Sequence, residues 1–262
     1  HDGKAMARAV DLAHDSGVPV IAYDRLILNP ALDVYLSFDN VKVGELQGQG
    51  LVDCLTAKKY TKPVVAELNG SPTDNNATLF AQGYNSVLDP KYADGTFVKG
   101  PNQDTPDWDN TQAGTIFEQM LTTNKSIKGV LAANDGLGNA VISVLKKNKL
   151  NGQVPVTGQD ATVQGLQNIL AGDQCMTVYK AIKGEADAAA SLAISLAKGQ
   201  KPTTATGTTT DPESKAAIPS VLLTPKSITA PTVKDVIADG FVTKDAVCTG
   251  SYAALCTKNG IS

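Results

Sequence analysis

The chain has 262 residues, 42% hydrophobic and 19% charged, with a formal net charge of -3. That is enough apolar material to bury a core, as one large domain or two modest lobes. The scattered Lys and Arg residues give no basic patch for nucleic acid, and no apolar run reaches the roughly 18 residues that cross a bilayer.

The opening HDGKAMARAV has a helical pattern and no apolar core of a signal peptide, as expected of a cytosolic chain or a processed, secreted one. Helical spacing predicts a first helix over 3–16, which Gly17 ends before Pro19 enters the next segment. Strands are predicted over 18–24 (VPVIAYD) and 33–39 (DVYLSFD), then a helix over 41–58. A strand over 63–68 (PVVAEL) is followed by helices over 75–88 and 110–124, the second capped by Asp109 or Asn110. Strands over 128–135 (KGVLAAND), 154–160 (VPVTGQD) and 175–180 (CMTVYK) alternate with helices over 136–148, 162–171 and 183–198. Residues 201–217 are Thr-rich, with two prolines and a glycine, and read as an exposed loop. Short apolar strands alternating with helices predict an α/β fold with parallel, doubly wound sheets covered on both faces.

Of the four cysteines, Cys248 and Cys256 lie close together in CTGSYAALC. In an oxidising compartment they would form a disulfide closing a short loop; the alternative is two free thiols. Cys54 falls in a helical stretch and Cys175 at a strand start, and each reads as a buried, small apolar residue. With His1 and His14 alone there is no Cys/His spacing for zinc. No cofactor is expected: GLGNA at 136–140 lacks the third glycine of a dinucleotide loop.

The strands end in polar residues: Asp24-Arg25, Asp39-Asn40, Asn134-Asp135, Asp160 and Lys180. In open parallel sheets, ligands bind outside the carboxyl ends of the strands. Each feature also has a plainer reading. Asp24-Arg25 can be an exposed pair, while Asp74-Asn75-Asn76 and Asn134-Asp135 can be helix caps. The sole tryptophan, Trp108, can be a packing residue or a face on which a sugar ring stacks. Asn76-Ala-Thr78 and Asn124-Lys-Ser126 match the glycosylation pattern, which arises often by chance. No Ser/His/Asp arrangement is supported, so the chain reads as a non-enzyme; a carboxylate pair for glycoside hydrolysis stays open on spacing alone. The mixture of Asp, Arg, Asn and Lys suits neutral hydroxyl groups, since carboxylates accept, Arg and Lys donate, and Asn does both.

AYDR (22–25), SFDN with VGELQ (37–47), GSP-x-DNNA (70–77), AAND (132–135), GQDA (158–161), MTVYK (176–180) and VLLTP (221–225) carry a resemblance. Together they resemble the xylose branch of the ribose/galactose-type periplasmic sugar-binding family, which feeds ABC transporters. The resemblance runs in order to about Phe241. It implies a two-lobed type I periplasmic-binding-protein fold that closes on a monosaccharide by hinge motion. D-xylose is the first expectation, glucose or another pentose the next, with an ABC transporter permease as partner. The implied sugar ligands are Asp24 and Arg25 in the first lobe, and Asp74, Asn76, Asn134, Asp160 and Lys180 with a stacking Trp108 in the second. The first lobe would comprise residues 1–40 and 181–215, the second 41–180 and 216–262, with crossings near Asp39-Asn40, Lys180 and 216–225. The location would be periplasmic or extracellular, held at the membrane by the permease or by a lipid anchor on an upstream segment.

Two features depart from the family pattern. Family members begin with about two further βα units, roughly 70 residues. Without them the first lobe would keep two strands, too few for a covered sheet. A fragment of a longer product, a companion N-terminal fragment present as another chain, and a truncated protein with a partner are the three explanations. The Cys-containing tail is the second departure, and it is expected to clip the C-terminus down. Sugar-sensing effector domains of transcription regulators or of membrane sensor kinases are the alternative function.

Overall fold

The computed structural model describes residues 2–200, 202 and 204–261. His1, Lys201, Thr203 and Ser262, which the sequence expectations for the first lobe, the 201–217 loop and the tail include, lie outside the described residues. In chain order the first elements are α1 (Ala7–Asp15), β1 (Ile21–Tyr23), β2 (Val34–Phe38), α2 (Asn40–Ala57), β3 (Val64–Asn69) and α3 (Asn75–Ala93). Then come β4 (Val98–Asp104), α4 (Asn110–Thr123), β5 (Ile127–Ala132), α5 (Asp135–Lys147), α6 (Val163–Ala171), β6 (Thr177–Tyr179) and α7 (Ile182–Ala197). The last are β7 (Gly207–Thr210), β8 (Ala217–Leu223), β9 (Lys226–Ile228), α8 (Val233–Ala238), α9 (Lys244–Val247) and α10 (Tyr252–Lys258).

The chain divides into two compact units. Unit 1 holds residues up to Asn40, Thr73–Asn76 and Ala181–Pro225; unit 2 holds Val41–Pro72, Ala77–Lys180 and the stretch from Lys226 onward. The sequence expectation placed 216–225 and 73–76 in the second lobe. Their contacts place them in unit 1: β8 pairs with β2, and Asp74 and Asn76 bond to residues of the β1–β2 region.

Unit 1 is built on a sheet in the order β1-β2-β8-β7. Every residue of β2 (VYLSF) is buried. Alternate side chains point to opposite faces of a strand. Val34 and Leu36 therefore pack with Leu192 of α7, and Tyr35 with Val10 of α1, Ala22 and Ile218. The two-strand expectation for this lobe is corrected, because β8 and β7 return from late in the chain to give four strands. The loop expectation for 201–217 is corrected too. Gly207–Thr210 pairs antiparallel with β8, and Thr209 meets Ser220 Oγ at 2.9 Å. Within unit 1, β1 is an edge among the described strands, and Met6, Leu12, Val18, Tyr23, Ile182, Ile194 and Leu222 are exposed.

Unit 2 has a parallel sheet in the order β4-β3-β5. Ala66 and Leu68 of β3 pack on Ala113 and Phe117 of α4 and on Val141 and Leu145 of α5. Val65 packs on the other side, on Leu51 and Leu55 of α2 and Phe80, Tyr84 and Leu88 of α3. The doubly wound expectation thus holds around β3. The helices α2 and α3 cross in close contact: a Cβ on Gly44 would lie 2.0 Å from Phe80 O, and one on Gly83 2.0 Å from Val41 O.

Beside the parallel pairs, β7-β8 and β6-β9 are antiparallel. The predicted strand at 154–160 contributes one parallel bridge, Val156 to Val130. Pro155 has no N–H to give, and the Thr157 hydroxyl takes the place of a backbone group, accepting from Ala132 N at 2.9 Å and donating to Ala132 O at 3.0 Å. The strand β4 (VKGPNQD) went unpredicted, because its residues are polar and it carries Pro101; it is an edge strand, where proline is tolerated.

Two disulfides are present. Cys248 and Cys256 join the end of α9 to α10, with Cα atoms 5.8 Å apart. Gln167 Nε2 on α6 donates to Ala246 O and Val247 O, each at 3.2 Å, so the tail is tied to the unit 2 body. Cys54 and Cys175 form the second bridge, at a Cα separation of 6.3 Å and 121 residues apart in sequence. The reading of each as a buried, small apolar residue left their pairing open; here they cross-link α2 and the entry to β6, a long-range pairing that no local spacing announces.

Candidate functional site

In unit 1 the chain turns sharply at the end of β1. Asp24 has φ of 59°, a left-handed conformation that costs a non-glycine residue energy unless its surroundings hold it. They do: the Asp24 carbonyl accepts from Asn76 Nδ2 at 2.8 Å, Tyr35 Oη at 3.2 Å and Ser37 Oγ at 3.3 Å. Arg25 follows, its Nη1 bonded to the Asp24 carboxylate and its Nε 3.0 Å from Asp74 Oδ2. The second contact is an ion pair lying outside hydrogen-bond alignment.

Asp74 and Asn76 open α3. The Asp74 carboxylate accepts from Asn76 N at 2.9 Å, so the helix-cap reading of this motif holds. Asn76 is buried, and its Oδ1 accepts from Tyr35 Oη at 2.9 Å and Asn40 Nδ2 at 3.0 Å. Burial of this side chain removes it as a glycan acceptor. Unit 1 thus brings together Asp24, Arg25, Asp74 and Asn76. It adds Tyr35, Ser37 and Asn40, which were not among the predicted site residues. Burial pushes the Tyr35 hydroxyl's pKa upward, so it stays a donor. A buried serine and tyrosine inside an apolar strand were the available signal.

In unit 2 the candidate residues stand at the carboxyl ends of strands. Trp108 follows β4 in a tight turn in which Asp107 and Trp108 have φ of 53° and 57°. Trp108 N donates to Thr105 O at 3.2 Å, and Asp107 N to Ser71 Oγ at 3.2 Å. The indole lies over Gly70 at the end of β3: a Cβ there would come within 2.0 Å of Trp108 Cη2. Phe80 meets the ring edge-on, with centroids 6.4 Å apart. Trp108 is half-buried and packs against the apolar core of unit 2, so the packing reading of it holds.

Asn134 follows β5 and caps α5, its Oδ1 accepting from Leu137 N at 2.8 Å. Asp160 and Lys180 form an ion pair, Nζ to Oδ1 3.8 Å. Lys180 is buried and Asp160 half-buried. Asp160 also has positive φ, 102°, followed by Ala161 at 50°. Of the five non-glycine residues with positive φ just described, three, Asp24, Trp108 and Asp160, are predicted site residues. Held backbone strain of this kind concentrates at functional sites.

No group of three or more His, Cys, Asp or Glu is placed to hold a metal among the described residues. Nor is any described helix long and apolar enough to cross a membrane.

A periplasmic binding protein domain matches residues 1–201. The chain belongs to the periplasmic binding protein family. It is 40% identical over 243 residues to the D-xylose-binding periplasmic protein of Escherichia coli, covering 92% of this chain and 71% of that protein. It is 36% identical over 254 residues to a multiple sugar-binding periplasmic receptor of Rhizobium radiobacter, covering 91% and 72%. Among solved structures, it resembles a carbohydrate transporter solute-binding protein of Chloroflexus aurantiacus in complex with D-glucose. That match has a TM-score of 0.85 and 32% identity, and covers 94% of this chain and 79% of the other. The type I two-lobed fold expected from the motifs is that of the family.

Proposed function

We propose that the protein binds a monosaccharide, D-xylose first among them, and presents it to an ABC transporter permease. The observation that carries the reading is the indole of Trp108, set on Gly70 in a held turn, in the same unit as the strand-end groups Asn134, Asp160 and Lys180. A flat aromatic face suits the C–H face of a sugar ring. Amide, carboxylate and ammonium groups supply donors and acceptors to hydroxyls. Asp24, Arg25, Asp74 and Asn76 are proposed as the remaining ligands, already arranged in a bonded set. The xylose-binding relative supports D-xylose. The multiple-sugar relative and the glucose-bound neighbour make the sugar the point to test.

Calorimetric titration with D-xylose, D-glucose, D-ribose and L-arabinose is the experiment. One-site binding is expected, tightest for xylose. Asp160→Ala is expected to weaken it by about 10- to 100-fold, matching about 1–3 kcal/mol for an unpaired polar group. Silence toward all four sugars would overturn the reading; tighter glucose binding would overturn xylose alone.

We also propose that a companion segment, on the same chain or a separate one, covers the open side of unit 1. The edge position of β1 and the exposed Met6, Leu12, Val18 and Ile194 support it, since exposed strand edges and apolar patches are normally covered. Amide exchange at Ile21 and Tyr23, which the β1–β2 register turns away from β2, is then expected to be fast in the 262-residue chain alone. Strong protection in a monomer of that chain would contradict it.

A further inference from the structure

Asp135 is the first residue of α5, immediately after Asn134, and its side chain has no solvent exposure. Its carboxylate accepts four bonds. Oδ2 takes Thr162 N at 2.8 Å and Thr162 Oγ1 at 3.0 Å; Oδ1 takes Gln174 Nε2 and Thr177 Oγ1, each at 2.8 Å. Its own backbone N–H donates to Gln159 O at 2.8 Å. The packing leaves no slack: a Cβ on Gly158 would lie 2.1 Å from Oδ1, and one on Gly165 2.2 Å from Oδ2.

All these contacts bracket one turn. Residues 159–162 carry the left-handed Asp160 and Ala161. Gln159 and Thr162, on either side of them, both bond to Asp135. Ala161 N donates to Thr177 Oγ1 at 3.2 Å, and that hydroxyl in turn bonds Asp135. Asp160 N donates to Val178 O at 2.8 Å. A turn of this conformation persists only when its surroundings over-determine it, and here the Asp135 carboxylate holds Thr162 directly by two bonds and Ala161 through the Thr177 hydroxyl.

We propose that Asp135 is a positioning residue that holds the 159–162 turn, and with it Asp160, in the sugar-binding conformation, so that affinity depends on its ionisation. The inference rests on the reading of Asp160 as a sugar ligand. Burial raises the Asp135 pKa to about 6, against the lowering effect of Gln174, Thr162 and Thr177. The groups that face it from α6 and from the 174–177 stretch are neutral, and Asp160 is the charged neighbour that raises it further. Charged acceptors bond roughly twice as strongly as neutral ones. Protonation therefore loosens the hold on the turn as pH falls through about 6.

The test is D-xylose affinity between pH 7.5 and 5 for the wild type, Asp135→Asn, Thr177→Val and Asp160→Ala, with circular dichroism confirming fold at each pH. If binding needs the ionised form, wild-type affinity is expected to fall about tenfold by pH 5, the share of competent protein setting the apparent constant. Asp135→Asn is expected to bind about tenfold more weakly than wild type at pH 7.5 and to lose the step near pH 6. Thr177→Val keeps the branched shape and should show a smaller loss with a displaced step. The wild-type profile decides even where Asp135→Asn does not fold: a flat profile overturns the proposal. An unchanged affinity in Asp160→Ala overturns the ligand reading of Asp160, and the positioning role with it. A loss there, with wild-type behaviour in folded Asp135→Asn, overturns the positioning role alone.

Discussion

Replacing Cys54 and Cys175 together with alanine is expected to cost about 4–5 kcal/mol of stability, the largest effect of any change outside the core. The bridge spans 121 residues. Cross-linking so long a loop removes far more freedom from the unfolded chain than a short one does. The loop-entropy relation gives about 5 kcal/mol at this length and about 2–3 kcal/mol for the Cys248–Cys256 loop of 8. Against a typical total of about 5–15 kcal/mol, losing the long bridge threatens folding itself, whereas losing the short one does not. Guanidinium unfolding of oxidised wild type and the two double-alanine variants measures the difference. Equal costs for the two pairs, or a larger cost for the tail pair, would contradict it. The long bridge enters β6 two residues before Thr177 and five before Lys180, so its loss should also loosen the strand end that carries the lysine.

The second large effect is on binding. Trp108→Ala is expected to weaken sugar affinity by about 30- to 100-fold, the equivalent of about 2–3 kcal/mol for a lost aromatic face. Its stability cost should fall below the ~3–5 kcal/mol of a fully buried Trp→Ala change, because the ring is only half-buried. Trp108→Phe keeps a face and should lie between. Gly70→Ala offers a check that leaves the tryptophan in place. The added methyl would sit 2.0 Å from Cη2, so the ring must move and affinity should fall with it. Calorimetry on the three variants tests this. An alanine variant that binds within about twofold of wild type would contradict the stacking role.

Much of this was legible in the sequence. The central strands β2, β3 and β5 announce themselves as short, mostly apolar runs between helical segments, and the cap readings at Asp109 and Asn134 mark two helix starts. What stayed hidden depended on partners far away in the chain. β7 is four residues of Gly and Thr that become a strand only beside β8, and β4 is polar because it lies at an edge. The Cys54–Cys175 bridge gives no spacing to read. At the site, strand ends named Asp24, Arg25, Asn134, Asp160 and Lys180, since polar residues closing apolar strands stand out. Asp135 was read with Asn134 as a cap pair, and its own role could not be seen. Its partners Thr162, Gln174 and Thr177 are ordinary polar residues until the fold gathers them on one carboxylate.

The central claim is that this chain holds a sugar against Trp108. As the only tryptophan, it reports one position. Titrating D-xylose while following its emission should give a saturable change in the wild type and a curve displaced about 10- to 100-fold in Asp160→Ala. Emission that does not respond to xylose, glucose, ribose or arabinose in folded wild-type protein would contradict it.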